Sequence, residues 1–284
     1  MGGGIQFGLI AVQAVGTMLA VGLELSPASL RAALSNRRAL AIGVLLNLGA
    51  LPLATIALLT LIDMPKSIAA GVLLAASCAG GNSAVLLTRN VQGETAYAVA
   101  MLCGLNLLAL PVLPPLLGLV SDALSLAPLP AQAVAVQVLR GLLLYMIGPL
   151  ALGMALRALW PAPAARWAPP LALVANICLL TLILGLLITQ GREMFQLNGN
   201  VLAAIAALVI FSFASARAVA PLRSPLGRAA LHVGGIRNLS LALVVAALLH
   251  LPPLATLSIL GYGLIMYVAA AVLWLWLRRR PSVP

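Results

Sequence analysis

Two glycine pairs interrupt membrane-length apolar segments and place hydrogen-bonding groups where a continuous helix would hide them. Gly80-Gly81 lies in SIAAGVLLAASCAGGNSAVLLTR and is followed by Asn82 and Ser83. Gly234-Gly235 lies in LGRAALHVGGIRNLSLALVVAALL and is followed by Arg237 and Asn238. A double glycine at bilayer depth predicts a helix break, and the peptide groups freed there persist only where they line protein or a polar cavity. The half-helix ending near Cys78 presents carbonyl oxygens, which suit a cation. The half-helix starting after Gly81 presents N–H groups and a positive dipole end, which suit a carboxylate or sulfonate. One glycine pair reads equally well as a packing contact between helices. Two pairs, one in each half of the chain, favour a shared site near the membrane midplane.

Arg237 is the second chemical signal. A guanidinium midway along a span costs about 2.5 to 3.5 kcal/mol on insertion scales, so it must face a cavity or a partner. Its functional reading is a charge that binds an anion or replaces a cation; its structural reading is a pair with a backbone carbonyl or an amide. His232, just before the second glycine pair, is a titratable group, although a lone histidine also serves as packing. Asn47, Asn106 and Asn176 sit within spans, where interhelical hydrogen bonding accounts for them. Arg140 lies near the outer end of a span and can snorkel.

Catalysis finds no support. The five carboxylates, Glu24, Asp63, Glu94, Asp122 and Glu193, fall at span ends or loops, so no acid pair converges inside the membrane. We find no Ser/His/Asp set, zinc spacing or phosphate loop, and expect neither an enzyme nor a metal centre. Cys78, Cys103 and Cys178 lie in apolar segments without CxxC spacing and read as small buried hydrophobes.

The elements that position these residues follow from composition. With 63% apolar and 7% charged residues and a mean hydropathy of +1.14, the chain has too little polar surface to cover a soluble globule. Spans of roughly 20 apolar residues fit nine segments, about 5–24, 39–62, 67–90, 95–120, 133–157, 168–190, 199–218, 226–250 and 254–277. Strand alternation is absent, which excludes a membrane barrel. The first span lacks a basic leader and reads as a retained helix. The expected fold is an all-α integral membrane protein, one transmembrane domain over 1–284, with a first half of about 1–120 and a second of about 133–284 joined through the stretch near 121–132. The glycine pairs then fall on the third and eighth spans, which run in opposite directions, as in an inverted-topology repeat with two discontinuous helices.

The net charge of +11 does not call for a nucleic-acid partner, because the bilayer accounts for it. Arg31, Arg37, Arg38, Arg89, Arg157, Arg166, Arg217, Arg223, Arg228, Arg278, Arg279 and Arg280 share one side of the nine-span arrangement, and only Lys66 and Arg192 fall on the other. By the positive-inside rule this predicts a multi-pass protein of the cell (inner) membrane, N-terminus outside and C-terminus cytoplasmic. Nothing in the sequence fixes the oligomeric state.

The stretches VGLELSPASLRAALSNRRALAIGVLLNLGALPLATIAL and PKSIAAGVLLAASCAGGNSAVLLTRNVQGETAYAVAM resemble the bile acid:sodium symporter family, with its GL.L.P motif and its CPGG…SN crossover. HVGGIRNLSLALVVAALL is similar to the second crossover, EVGMQN. The resemblance implies a core domain of two crossing broken helices moving against a panel domain. It implies organic anions as substrates, among them bile acids and small carboxylates such as pantoate, contacted by Asn82, Ser83 and Asn238.

The departures carry as much information. Where the family's first sodium site has oxygen ligands, this chain has Ala84, Val85, Ala98, Leu102 and Val233. At the second site the amide is kept in kind as Asn47, but the family's Gln is Arg237. A hard cation needs oxygen ligands, so sodium is not expected, and Arg237 is expected to supply its charge permanently, with His232 as a group able to take a proton. The sequence thus predicts a transporter of an organic anion; the alternative is a membrane sensor or scaffold that keeps the fold without coupled transport.

Overall fold

A computed structural model describes residues 3–81, 83–123, 136, 139–141, 143–194, 197–248 and 251–279. The described residues are almost entirely helical. Helix α1 covers Gly3–Glu24, α2 Pro27–Ser35, α3 Arg37–Leu61, α4 Lys66–Ser77, α5 Ser83–Asn90 and α6 Thr95–Ala123. Helix α7 covers Gly148–Leu159, α8 Pro161–Met194, α9 Gly199–Ser215, α10 Pro225–Gly235, α11 Leu239–Leu248 and α12 Pro253–Arg278. The joining stretch expected near 121–132 lies outside the described residues from 124 onward.

Helix starts follow local capping chemistry. Asn36, Asn198 and Ser224 accept N–H groups of Ala39, Val201 and Gly227 at 3.3, 2.9 and 3.0 Å, satisfying donors that have no partner within the helix. Pro225 follows Ser224 at the first helical position, where its missing N–H is not needed. Prolines also shape helix interiors. Wide π turns occupy Leu45–Ala50 and Leu143–Ile147, each just before a proline, Pro52 and Pro149. A proline removes one N–H from the ladder, and the turn preceding it relaxes to absorb the loss.

Among the described residues, four helices are long and apolar enough to cross a membrane: Arg37–Leu61, Leu139–Leu159, Gly199–Ala218 and Pro253–Arg278. The segments expected as single spans over 67–90 and 226–250 are each split in two, into α4 with α5 and α10 with α11. The surface segment after the first span is itself helical and packs as α2 on α6.

Helix packing falls into two sets. Helices α1, α7 and α8 pack chiefly on one another, with α1 running along both partners. In the other set, α4 packs on α12, α10 on α5, α6 and α9, and α9 on α12. The main buried core, including Val72, Leu102, Leu105, Ile205, Ile236, Tyr262 and Met266, fills the second set. Its centre is where the two interrupted helices meet.

Candidate functional site

Both helix interruptions are present, and they lie against each other. Helix α4 ends at Ser77 and α5 begins at Ser83; α10 ends at Gly235 and α11 begins at Leu239. Between these ends Ala79 and Arg237 form an antiparallel bridge. The Gly81 N–H donates to the Ile236 carbonyl at 3.1 Å, and the Asn238 N–H donates to the Cys78 carbonyl at 2.7 Å. Peptide groups released from each helix are therefore met in large part by those of the other, which removes much of the cost of unwinding in an apolar medium.

Glycine is required at the first interruption. Gly80 has φ +76, a left-handed conformation that side chains resist. A Cβ on Gly81 would lie 2.3 Å from the Arg237 carbonyl oxygen, closer than any real contact, so the bridge forms only without a side chain there. The second interruption differs from expectation. Gly234 and Gly235 do not break their helix but form the last turn of α10, and the break falls on Ile236 to Asn238. Gly235 serves packing instead, since a Cβ would lie 2.1 Å from the Phe213 ring. Gly234 contributes its carbonyl, which accepts from Ser212 Oγ at 2.6 Å and from Arg237.

Arg237 is 1% exposed. Its Nη2 donates both to Asn47 Oδ1 and to the Gly234 carbonyl, and its backbone N–H lies 3.0 Å from Met266 Sδ. Nε and Nη1 are buried with no hydrogen-bond partner, as is the hydroxyl of Tyr262, one turn before Met266 on α12. Asn47 stands on the π turn of α3 and donates to the Gly43 carbonyl at 2.7 Å. The structure thus joins Arg237 to Asn47 in one buried contact.

Asn238 caps α11. Its Oδ1 accepts the Leu241 N–H at 3.0 Å, and its Nδ2 faces Asn106 Oδ1 at 3.3 Å and Met146 Sδ at 3.7 Å. The start of α11 is therefore filled in part by the chain's own acceptor. Asn106, read from sequence only as an interhelical amide, also donates to the Gly80 carbonyl at 3.4 Å and so touches both interruptions. Ser83 Oγ pairs with Tyr267 OH at 2.8 Å and borders a cavity of about 30 Å³ that also meets Thr17, Glu24, Arg89 and Asn176. Asn82 lies outside the described residues. His232 is fully buried; its Nδ1 meets the Arg228 carbonyl of its own helix at 2.8 Å, and its Nε2 has no partner.

At the positions that the resemblance assigns to the first sodium site, Ala84, Val85, Ala98, Leu102 and Val233 are all buried hydrophobic residues, whose side chains offer no oxygen to a hard cation. Asn47 Oδ1 and the Gly234 carbonyl are both engaged by the Arg237 guanidinium.

The chain is 32% identical over 131 residues to the probable sodium/metabolite cotransporter BASS1, chloroplastic, of Arabidopsis thaliana, a match covering 44% of this chain and 33% of that protein. It is 34% identical over 85 residues to the protein of the same name from Oryza sativa subsp. japonica, covering 30% of this chain and 21% of that one. The matches therefore span a third or less of these curated relatives. Residues 14–197, which include the first interruption and Asn47, match the Sodium Bile acid symporter family. A multi-pass membrane protein with paired helix breaks and this match belongs to the sodium bile acid symporter family.

Proposed function

We propose that this chain is a secondary transporter of an organic anion, a carboxylate or sulfonate, and that it works by alternating access without the two sodium ions of its family. The carrying observation is the buried Arg237 guanidinium, held by Asn47 Oδ1 and the Gly234 carbonyl beside the paired helix interruptions. A permanent charge fixed by two acceptors provides the positive field that a bound cation would provide, and it excludes a second cation by repulsion. Substrate recognition is assigned to Ser83 and Asn238 at the crossing, where Arg237 sets the potential, and to Asn82 from the sequence. Helices α1, α7 and α8 act as the panel and the remaining helices as the core, in an inverted repeat of nine spans with an outer N-terminus.

Membership of the family supports a small-molecule substrate and a bilayer setting. The names of the plant relatives describe sodium/metabolite cotransport; the sodium part is not carried over, because apolar side chains replace its ligands here. The driving force is then the anion gradient, exchange, or a proton.

The test is uptake of radiolabelled taurocholate and pantoate into proteoliposomes with an imposed sodium gradient and with potassium in its place. Equal uptake under both conditions is expected, and strong stimulation by sodium refutes the assignment of Arg237. A sensor or scaffold gives binding without flux in the same preparation.

A further inference from the structure

The mouth of the cavity leading to the crossing carries charged groups that the reading above does not use. Arg89, in the last turn of α5, forms an ion pair with Glu24 at the end of α1. The pair stands where two cavities meet. The narrower one, about 30 Å³, reaches Ser83, the first residue of α5, at the crossing. The wider one, about 330 Å³, is bordered by Glu24, Arg89 and Arg157. Helix α5 thus spans the distance between them, roughly 9 Å at 1.5 Å per residue from Ser83 to Arg89.

The charges at this junction do not balance. Arg157 donates to the backbone carbonyls of Leu23 and Glu24 rather than to a carboxylate, so its charge is not neutralised. Two guanidinium groups therefore face one carboxylate. The Arg89 and Glu24 side chains are 50% and 32% exposed, and an ion pair so open to solvent holds its partners weakly. Another carboxylate or sulfonate can take the place of Glu24 at little cost, and a planar guanidinium suits either group in a two-pronged contact.

Building on the organic-anion reading above, we propose that Arg89 is a docking residue for the acidic group of the transported anion, and that Glu24 is a resident competitor which occupies the same guanidinium when no substrate is present. The anion arrives in the wider, positive cavity, displaces Glu24 from Arg89, and is then one short helix away from Ser83. Because Glu24 belongs to α1 and Arg89 to α5, this exchange also releases an ion pair that links the two helix sets.

The test uses the full chain in phosphatidylcholine nanodiscs, with equilibrium binding of radiolabelled taurocholate and pantoate. Glu24→Gln frees Arg89 and is expected to tighten both probes about fivefold; Arg89→Gln is expected to weaken both by a similar factor, as suits one solvent-exposed charge contact. Glu24→Gln with Arg89→Gln should behave like Arg89→Gln, and Arg89→Lys, which keeps the charge but not the two-pronged contact, should fall between Arg89→Gln and the parent. The effect of Glu24→Gln should shrink as salt rises. If the two single substitutions shift affinity in the same direction, the pair is a structural latch and the proposal fails. Binding that ignores both substitutions overturns the docking role and leaves the transport reading standing. No binding to the parent or to Glu24→Gln overturns both. A parallel set in discs containing phosphatidylglycerol identifies a lipid headgroup as occupant: if Arg89→Gln loses only the lipid and keeps taurocholate, the proposal is wrong.

Discussion

Arg237 and Asn47 lie 190 positions apart in sequence and share a buried hydrogen bond from guanidinium Nη2 to amide Oδ1. The contact joins a π turn of α3 to the interruption between α10 and α11. Breaking it from either side has different consequences.

Asn47→Ala removes one of the two acceptors that hold a buried charge. A buried donor left without its partner costs about 1 to 3 kcal/mol, more when charged. Thermal melts in detergent should show a clear loss of stability, and Asn47→Asp should recover it by restoring an acceptor of opposite charge.

Arg237→Gln removes the charge and keeps a hydrogen-bonding amide. Insertion and folding should survive, while affinity for taurocholate or pantoate in sodium-free buffer should fall roughly tenfold, the scale of one charge-assisted interaction of about 1.4 kcal/mol. Unchanged affinity, measured by equilibrium binding, would remove Arg237 from the site's electrostatics.

Gly81→Ala and Gly234→Ala should separate sharply. The first drives a methyl to 2.3 Å from the Arg237 carbonyl, whereas the second meets only ordinary contacts at 3.6 Å and beyond. Gly81→Ala should lose at least about 3 kcal/mol or fail to yield folded protein, as overpacking against backbone does, and Gly234→Ala should stay within about 1 kcal/mol of the parent. The readouts are thermal stability and yield of monodisperse protein.

Tyr262→Phe removes a buried hydroxyl that has no partner. Deleting an unsatisfied polar atom without changing shape is neutral or stabilising, so melting should be unchanged or raised. A fall of more than a few degrees would mean that the hydroxyl has a working partner beside Arg237.

The first interruption was legible in sequence because its glycines answer a local demand: Gly80 for a left-handed φ and Gly81 for a backbone passing against it. The second was placed slightly too early for the same reason in reverse. Gly235 is there for the Phe213 ring, a tertiary contact that imitates a local signal. The meeting of Asn47 with Arg237 was expected only through resemblance, since nothing in either segment specifies the other. Asn106 was read as an interhelical amide but not placed at the crossing, and the Glu24 to Arg89 pair was not read at all, because their meaning depends on which groups stand opposite; span ends look alike whether their charges face lipid headgroups or a cavity mouth.

The bridge between Ala79 and Arg237 restricts how this molecule can work. Since each unwound stretch satisfies the other's peptide groups, neither can rewind or slide alone without stranding bare amides in hydrocarbon. On the proposed transport reading the knot travels as one rigid body, with the pivots in the seams where α1, α7 and α8 rest against their neighbours.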